Sequence, residues 1–363
     1  MKKIVIVVVL LFIILPFNVK AFSSEGQCTI LMDQDSGRIL YAKNIDTIRS
    51  VASISKIMTA ILAIESNKLD DIVTVGDEIS IAYGSAIYIK TGEEVSLKDL
   101  LYGLMLRSGN DAALAIAAYV GGSVDNFVGQ MNAKAREIGM KNTAFNNPSG
   151  LDSDKGNYST ARDMAILTSY AMKNQIYQQI VKTKKHVVKT NMNTYAWTNK
   201  NRLLSMYEYV TGGKTGFTEI AKRTLVSTAT KDNLNLVAVT LNNGNDFNEH
   251  VTLYKEAFDT YKSYAVLNKG NINIYDERFY QYYNIYLKKG FSYPLNDLEK
   301  DSILLKFEIE KKTSFKIADK IGKVKVMIGD KKVYEDDLFV GLQKDAKKKG
   351  FFKTLCDWFK NLW

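Results

Sequence analysis

Three short motifs follow one another along the chain: Ser53-Ile54-Ser55-Lys56, Ser108-Gly109-Asn110 and Lys214-Thr215-Gly216. They supply a hydroxyl nucleophile, an amine to act as its base, a second hydroxyl, an amide and a further cation. That set suits acyl transfer through a covalent serine ester. Residues three apart on a helix share a face, so Ser53 and Lys56 are expected to point the same way. At a helix start, the Ser53 backbone N–H is free to donate to a developing oxyanion. A lysine base needs its neutral form near pH 7, and burial and a nearby positive charge both lower its pKa. Lys214 is the candidate for that charge. Taken alone, this spacing occurs by chance in many chains, and Ser53 and Lys56 read as an ordinary helix surface pair.

The other two motifs have a chemical and a plain reading. Ser108 is placed to relay a proton between an amine and a leaving group, and Asn110 to orient Lys56 or bind a substrate amide. The plain reading makes Asn110 the N-cap of the next helix. Lys214 offers a cation for a carboxylate or for electrostatic tuning, and Thr215 offers a hydroxyl. Gly216 lets a substrate backbone approach closely, and the Phe217 N–H is a second oxyanion donor. The two histidines, His186 and His250, form no H-x-H or H-E-x-x-H pattern, so a zinc peptidase has no support and no metal or other cofactor is expected. No G-x-S-x-G elbow accompanies them for a Ser-His-Asp triad. His186 reads as a surface residue of a basic β segment, and His250 carries no assignment.

The elements that must position these groups are legible from pattern. Gln27 to Tyr41 reads as a hairpin around Asp35-Ser36-Gly37. Helices are expected over Lys56 to Ser66, Leu100 to Leu106 after the capping box Ser96-Leu97-Lys98-Asp99, Asp111 to Val120, Val124 to Ile138, and onward from Thr160-Ala161-Arg162-Asp163 to Met172. Tyr207 to Thr211, Thr224 to Thr230 and Leu234 to Leu241 are β-rich, and a last helix is expected over Glu249 to Tyr264. This order predicts an α+β fold, an antiparallel sheet with helices laid on it. Residues 268 to 340, with strand-like runs at Ile303 to Ile309 and Lys323 to Ile328 and a turn at Gly329-Asp330, predict a small all-β domain. The tyrosines from Tyr280 to Tyr286 read as packing residues of that domain.

The two ends speak of export and a membrane. Lys2 and Lys3 precede the apolar run Ile4 to Leu15, and Val19-Lys20-Ala21 offers a small-residue cleavage site, so residues 1–21 read as a signal peptide. Cys28 and Cys356 are the only cysteines, which gives no disulfide framework. The net charge is +10. The stretch Lys344 to Lys349 is basic, and Phe351, Phe352, Leu355, Trp358, Phe359, Leu362 and Trp363 recur at helical spacing. An amphipathic helix over 343–363, anchored on an anionic membrane surface, is the expectation. Nothing in the sequence resembles a nucleic-acid-reading motif, so nucleic acid is not expected as a partner.

With the motifs in place, the chain resembles the D-alanyl-D-alanine carboxypeptidases, the low-molecular-mass penicillin-binding proteins. The segments that carry the likeness are Val51 to Ala60 around Ser53, Ser108 to Ala113, Lys214 to Thr218, Asn147-Pro148-Ser149-Gly150-Leu151 and Thr160 to Asp163. The resemblance implies a transpeptidase/β-lactamase-like catalytic domain over 24–264. It implies peptidoglycan stem peptides ending in D-alanyl-D-alanine as substrates, β-lactams as inhibitors, and a place on the outer face of the cytoplasmic membrane or in the cell wall. It makes Ser53 the nucleophile and Lys56 its base, with Ser108 and Asn110 assisting. Lys214, Thr215, Gly216 and Phe217 become the substrate-binding strand. Two departures stand out: Ala221-Lys222 where many members have Ala-Gly, and no arginine near Asp246 to His250, where many members use one for the substrate carboxylate. Lys200, Arg202 and Arg223 are the candidates to replace it. A β-lactamase and a non-catalytic wall-binding protein are the alternative readings, the first lacking an evident deacylating glutamate between Asn110 and Lys214.

Overall fold

The computed structural model describes residues 22–152, 156–274 and 278–343. Its centre is an antiparallel sheet of β1 (Cys28–Asp33), β2 (Ile39–Lys43), β3 (Val210–Thr218), β4 (Lys222–Lys231) and β5 (Leu234–Leu241), in the order β2-β1-β5-β4-β3. The hairpin β1-β2 forms where expected, its turn held by the Asp33 carboxylate accepting from the Ser36 N–H at 2.8 Å and by Gly37 at φ 72°. Cys28 lies opposite Leu241 in the ladder, so the first strand closes against the last.

Both faces of this sheet are covered, and side-chain alternation decides which residue goes where. Ile30, Met32, Val226, Val237 and Val239 join the core under the helical layer, while Leu31, Leu225, Leu236 and Ala238 face the other way. The helical layer contains α1 (Lys56–Glu65), α2 (Leu97–Tyr102), α3 (Asn110–Gly121), α4 (Val124–Glu137), α5 (Ala161–Ala171) and α6 (Gln175–Lys182). The opposite face is covered by α7 (Asp246–Thr260) through Leu253, Tyr254, Ala257 and Phe258. The helix α1 is buried almost all round, from Lys56 to Ile61 and again at Ala63 and Ile64. A helix with no solvent face has no freedom to slide.

The expected caps are present. Ser96 accepts from the Asp99 N–H at 3.0 Å, and Thr160 does the same for Asp163 at 3.0 Å. After α2 the chain widens into a π turn over Gly103–Arg107 and ends at Ser108 in the left-handed conformation, φ 63°. One helix is additional to the expectations, and two expectations need correction. Helix α6 has no counterpart in the sequence reading, although Asn174 caps it by accepting from the Ile176 and Tyr177 N–H groups. The last helix ends at Thr260, because Lys262–Leu267 pairs as a strand with Phe291–Leu295. Asn110 is the first residue of α3 rather than its N-cap; Gly109 takes that place without a side-chain bond.

The C-terminal unit is all-β, as expected. Five strands run in the order Gly270–Ile272, Tyr283–Leu287, Lys331–Gln343, Lys320–Ile328 and Ile303–Ile309, around a core of Ile285, Leu287, Ile321, Val324, Val326, Leu338 and Val340. Tyr280 is buried in it. Arg38, from the β1-β2 hairpin, joins this unit to the part built on the β1–β5 sheet: its guanidinium donates to the Pro294 carbonyl and to Glu299, each at 2.5 Å, and lies over the rings of Tyr261 and Tyr293. Cys28 is free and buried. The apolar leader, the basic aromatic tail and Cys356 fall outside the described residues.

Candidate active site

Ser53 sits in the 3-10 turn Ala52–Ser55 that feeds directly into α1. The turn opens on a buried residue in an uncommon conformation, Ala52 at φ 50°. Such a backbone costs about 1–2 kcal/mol and persists only where its surroundings fix it. Gly150 is part of those surroundings, since a Cβ there would collide with the Ala52 carbonyl. The segment Asn147–Leu151 folds on itself to make this contact. The Asn147 Oδ1 accepts from the Ser149 N–H, the Ser149 hydroxyl and the Gly150 N–H, at 3.1, 3.0 and 2.6 Å, and that turns the Ser149 carbonyl toward Lys56.

Lys56 is wholly buried. Its Nζ stands 2.5 Å from the Ser149 carbonyl, 2.6 Å from Asn110 Oδ1 and 3.1 Å from Ser53 Oγ. A neutral amine has two N–H donors and one lone pair. The two short contacts are to pure acceptors and take the donors, so the lone pair is left facing the Ser53 hydroxyl. Burial pushes the Lys56 pKa well below the usual lysine range, the charges of Lys214 and then Lys200 push it the same way, and Asp111 opposes them. Lys214 itself is 2% exposed and donates to the Thr215 carbonyl at 2.6 Å. Its pKa is driven down to about 7, first by burial and then by Lys200.

Asn110 is pinned at both ends of its amide: Oδ1 receives Lys56, and Nδ2 donates to the Tyr83 carbonyl at 2.6 Å. Its neighbour Asp111, not singled out in the sequence, organises this wall. The buried carboxylate accepts from the backbone N–H groups of Ile87, Tyr88 and Ala112 at 2.7 to 3.0 Å. That ties the 83–90 loop to the start of α3. An acidic residue in the first turn was the available signal, but its partners lie more than twenty residues upstream.

Across from Ser53 runs β3, the edge strand that carries the third motif. A Cβ on Gly216 would stand 3.0 Å from the Ser53 nitrogen and 3.2 Å from that of Ile54. Only glycine lets the strand come this close to the turn. Ser53, Ser108, Thr215, Gly216 and Phe217 line one cleft of about 380 Å³. Lys56, Asn110 and Lys214 are buried. Lys200, Arg202 and Arg223 line the cleft as well. The structure therefore brings together residues from all three motifs.

The histidines lie elsewhere. His250, on α7, is fully buried against β4 and β5, with Nδ1 at 2.6 Å from Ser227 Oγ and Nε2 at 3.0 Å from Thr240 Oγ1. Burial pushes its pKa down to about 3, so it is a neutral bridge in the core. His186, expected on the surface, is instead half-buried. It stacks on Tyr102 at 3.8 Å and meets Asp99 at 2.6 Å, which docks the hairpin Lys185–Thr198 on α2. Among the described residues, no group of three or more His, Cys, Asp or Glu side chains is placed to hold a metal ion.

Comparison with known proteins agrees with this geometry. A family model described as D-alanyl-D-alanine carboxypeptidase, peptidase family S11, matches residues 16–245. The D-alanyl-D-alanine carboxypeptidase DacF of Bacillus subtilis (strain 168) is 32% identical over 360 residues, covering 93% of this chain and 90% of that protein. The crystal structure of penicillin binding protein 5 from Haemophilus influenzae superposes with a TM-score of 0.75 at 28% identity, over 88% of this chain and 97% of that one. A single-site mutant of the Streptomyces K15 DD-transpeptidase gives 0.62 at 34% identity, over 64% and 98%. Both neighbours share the layered arrangement of helices on an antiparallel sheet. By sequence and by fold, this chain belongs to the D-alanyl-D-alanine carboxypeptidase family of serine peptidases.

Proposed function

We propose that Ser53 is the nucleophile of this carboxypeptidase and that Lys56 is its general base, with peptidoglycan stem pentapeptides as substrates. The observation that carries the assignment is the buried Lys56 amine, 3.1 Å from Ser53 Oγ, with both its N–H donors engaged elsewhere. Ser53 Oγ attacks the carbonyl between the two terminal D-alanines as its proton passes to Lys56 Nζ. The tetrahedral oxyanion lies between the N–H groups of Ser53 and Phe217. Breakage of the C–N bond expels D-alanine, whose amine takes the proton back from Lys56 with Ser108 as relay. Water then attacks the Ser53 ester and releases the shortened peptide. Asn110 orients Lys56, Lys214 keeps it neutral, and Thr215 with Gly216 and Phe217 seats the substrate.

A β-lactam presents a strained amide to the same hydroxyl and acylates it. Residues 24–264 are the catalytic domain, and 268–340 a β domain that sets it apart from its anchor. Residues 1–21 direct export, and 343–363 hold the enzyme on the outer face of the cytoplasmic membrane. Purified protein should release D-alanine from a pentapeptide mimic, and mass spectrometry after exposure to a penicillin should place the adduct on Ser53. Folded Ser53→Ala should show neither, and Lys56→Ala should lose nearly all of both. An adduct elsewhere would overturn the assignment. A chain ended at Leu342 and freed of its leader should leave the membrane fraction; unchanged partition would remove the anchor from the tail.

A further inference from the structure

The two oxyanion donors come from segments far apart in the chain. The Ser53 N–H belongs to the turn Ala52–Ser55, and the Phe217 N–H to the end of β3. Both must meet one oxygen, so their separation has to be held closely. Thr224, on β4, makes one link across the gap. Its buried hydroxyl donates to the Val51 carbonyl at 3.1 Å, and it stands opposite Gly216 in the ladder. A second link reaches further along, to the turn beyond Phe217, and it is a carboxylate.

Asp152 directly follows the segment Asn147–Leu151. Its Oδ1 accepts from the Ser50 hydroxyl at 2.7 Å, and its Oδ2 accepts from the Thr218 hydroxyl. Ser50 is buried, three residues before Ser53, and pairs with Tyr158 in a short ladder. Thr218 directly follows Phe217. Its Oγ1 also accepts from the Ala221 N–H at 3.0 Å, which closes the turn between β3 and β4. A Cβ on Gly156 would overlap Asp152 Oδ1 where it stands, so glycine leaves the carboxylate its seat. An ionised carboxylate only accepts, and it takes both hydroxyls at once in bonds stronger than a neutral pair gives.

We infer that Asp152 is a positioning residue for the oxyanion hole, tying the segment that carries the Ser53 N–H to the turn that carries the Phe217 N–H. The inference rests on Ser53 being the nucleophile. Asp152 lies outside the cleft lining, so it acts through the two backbone donors and not on the substrate. Cutting the tie lets the β3–β4 turn drift from the nucleophile turn. The side chains that bind the substrate stay on their strand. What is lost is the alignment of two donors on a charge that develops only in the transition state.

The test reads the acyl-enzyme itself. Full-length wild type and variants are acylated with a penicillin, and mass spectrometry locates the adduct. The ester carbonyl band is then followed by infrared difference spectroscopy; hydrogen bonds from the hole lower its frequency. In Asp152→Ala the band should move to higher frequency and broaden. For a peptide ending in D-alanyl-D-alanine, kcat should fall about 10- to 100-fold with KM little changed. Ser50→Ala cuts one arm and should move both readouts the same way by less. Asp152→Asn keeps both arms, because its amide can donate to the Thr218 oxygen, and should retain most of the rate. Folding is followed by thermal melting, and if Asp152→Ala does not fold, Ser50→Ala decides by the same two readouts. An unmoved band with unchanged kcat in the folded variant, or a loss carried by KM alone, would overturn the inference and leave Ser53 in its role. A folded wild type with no adduct on Ser53 would overturn the nucleophile assignment and this inference with it.

Discussion

The backbone nitrogen of Ser53 lies 3.0 Å from where a side chain on Gly216 would begin. First and third motifs, more than 160 residues apart in the chain, thus meet backbone to backbone. Gly216→Ala would have to push β3 away from the turn or displace Thr224, whose hydroxyl the new methyl group also meets. Penicillin acylation should slow about 10- to 100-fold, the usual effect of a misplacement near 1 Å. The melting temperature should change little, because only an edge strand moves. Stopped-flow acylation with a parallel thermal melt checks both.

Asn110→Ala removes the acceptor 2.6 Å from Lys56. The amine then has a free N–H and is no longer held with its lone pair toward Ser53. Acylation should fall about 100-fold, within the range for loss of general-base catalysis. Asn110→Asp should also be slow, since an adjacent carboxylate stabilises the ammonium and raises the Lys56 pKa. A pH profile with its acid limb moved upward in the aspartate variant checks that sign.

Lys200 bears on both buried lysines. Its positive charge lowers the pKa of Lys56 and of Lys214, in each case after burial. Lys200→Met removes that charge, so both lysines should hold their protons to higher pH. The acid limb of the acylation profile should move to higher pH, with the plateau largely kept. An unmoved limb would show that burial and Lys214 set the base without it.

His250 makes stability depend on pH. The native ring is held neutral with a pKa near 3, whereas the unfolded chain takes a proton near 6.5. Between about pH 6.5 and pH 3 the unfolded state binds more protons, so stability should fall as the pH drops. The slope from this group is at most about 1.4 kcal/mol per pH unit. Urea unfolding at pH 7 and pH 5 should show the loss, and His250→Gln should flatten it.

Arg38 spans the two parts of the molecule. Arg38→Ala strips the Pro294 carbonyl and Glu299 of a donor and leaves Tyr261 and Tyr293 unstacked. Stability should drop by about 1–3 kcal/mol, the cost of leaving partly buried polar groups unmatched. Cleavage of a short peptide should be unaffected. Denaturation followed by two probes, one in each part, checks whether the units now unfold separately.

The sequence made the chemistry legible where it is concentrated in short segments. Ser53 and Lys56 are one helical turn apart, and Ser96 and Thr160 announce their helices three residues ahead; these are local rules, and the fold obeys them. What stayed hidden depends on distant partners. By type alone Asn110 suits an N-cap and a lysine orienter alike; only the fold puts it first in α3, with its amide between the buried Lys56 amine and the Tyr83 carbonyl. Asp111 collects backbone groups from a loop that has no pattern of its own. The stretch after Thr260 is apolar enough for helix or strand, and pairing with Phe291–Leu295 chose strand. Asp152 joins Ser50 to Thr218 from a point between them in the chain, and no spacing rule links the three.

Ala52 sets a conflict into this enzyme. Its left-handed backbone, clamped beneath Gly150, presents the next residue to the cleft before any ligand arrives. Ala52→Gly would relax that backbone and favour the native fold, yet it would also loosen the hold on the Ser53 hydroxyl. Durability and turnover are thereby opposed at a single methyl group, and a hardier variant of this protein made there should be a slower one.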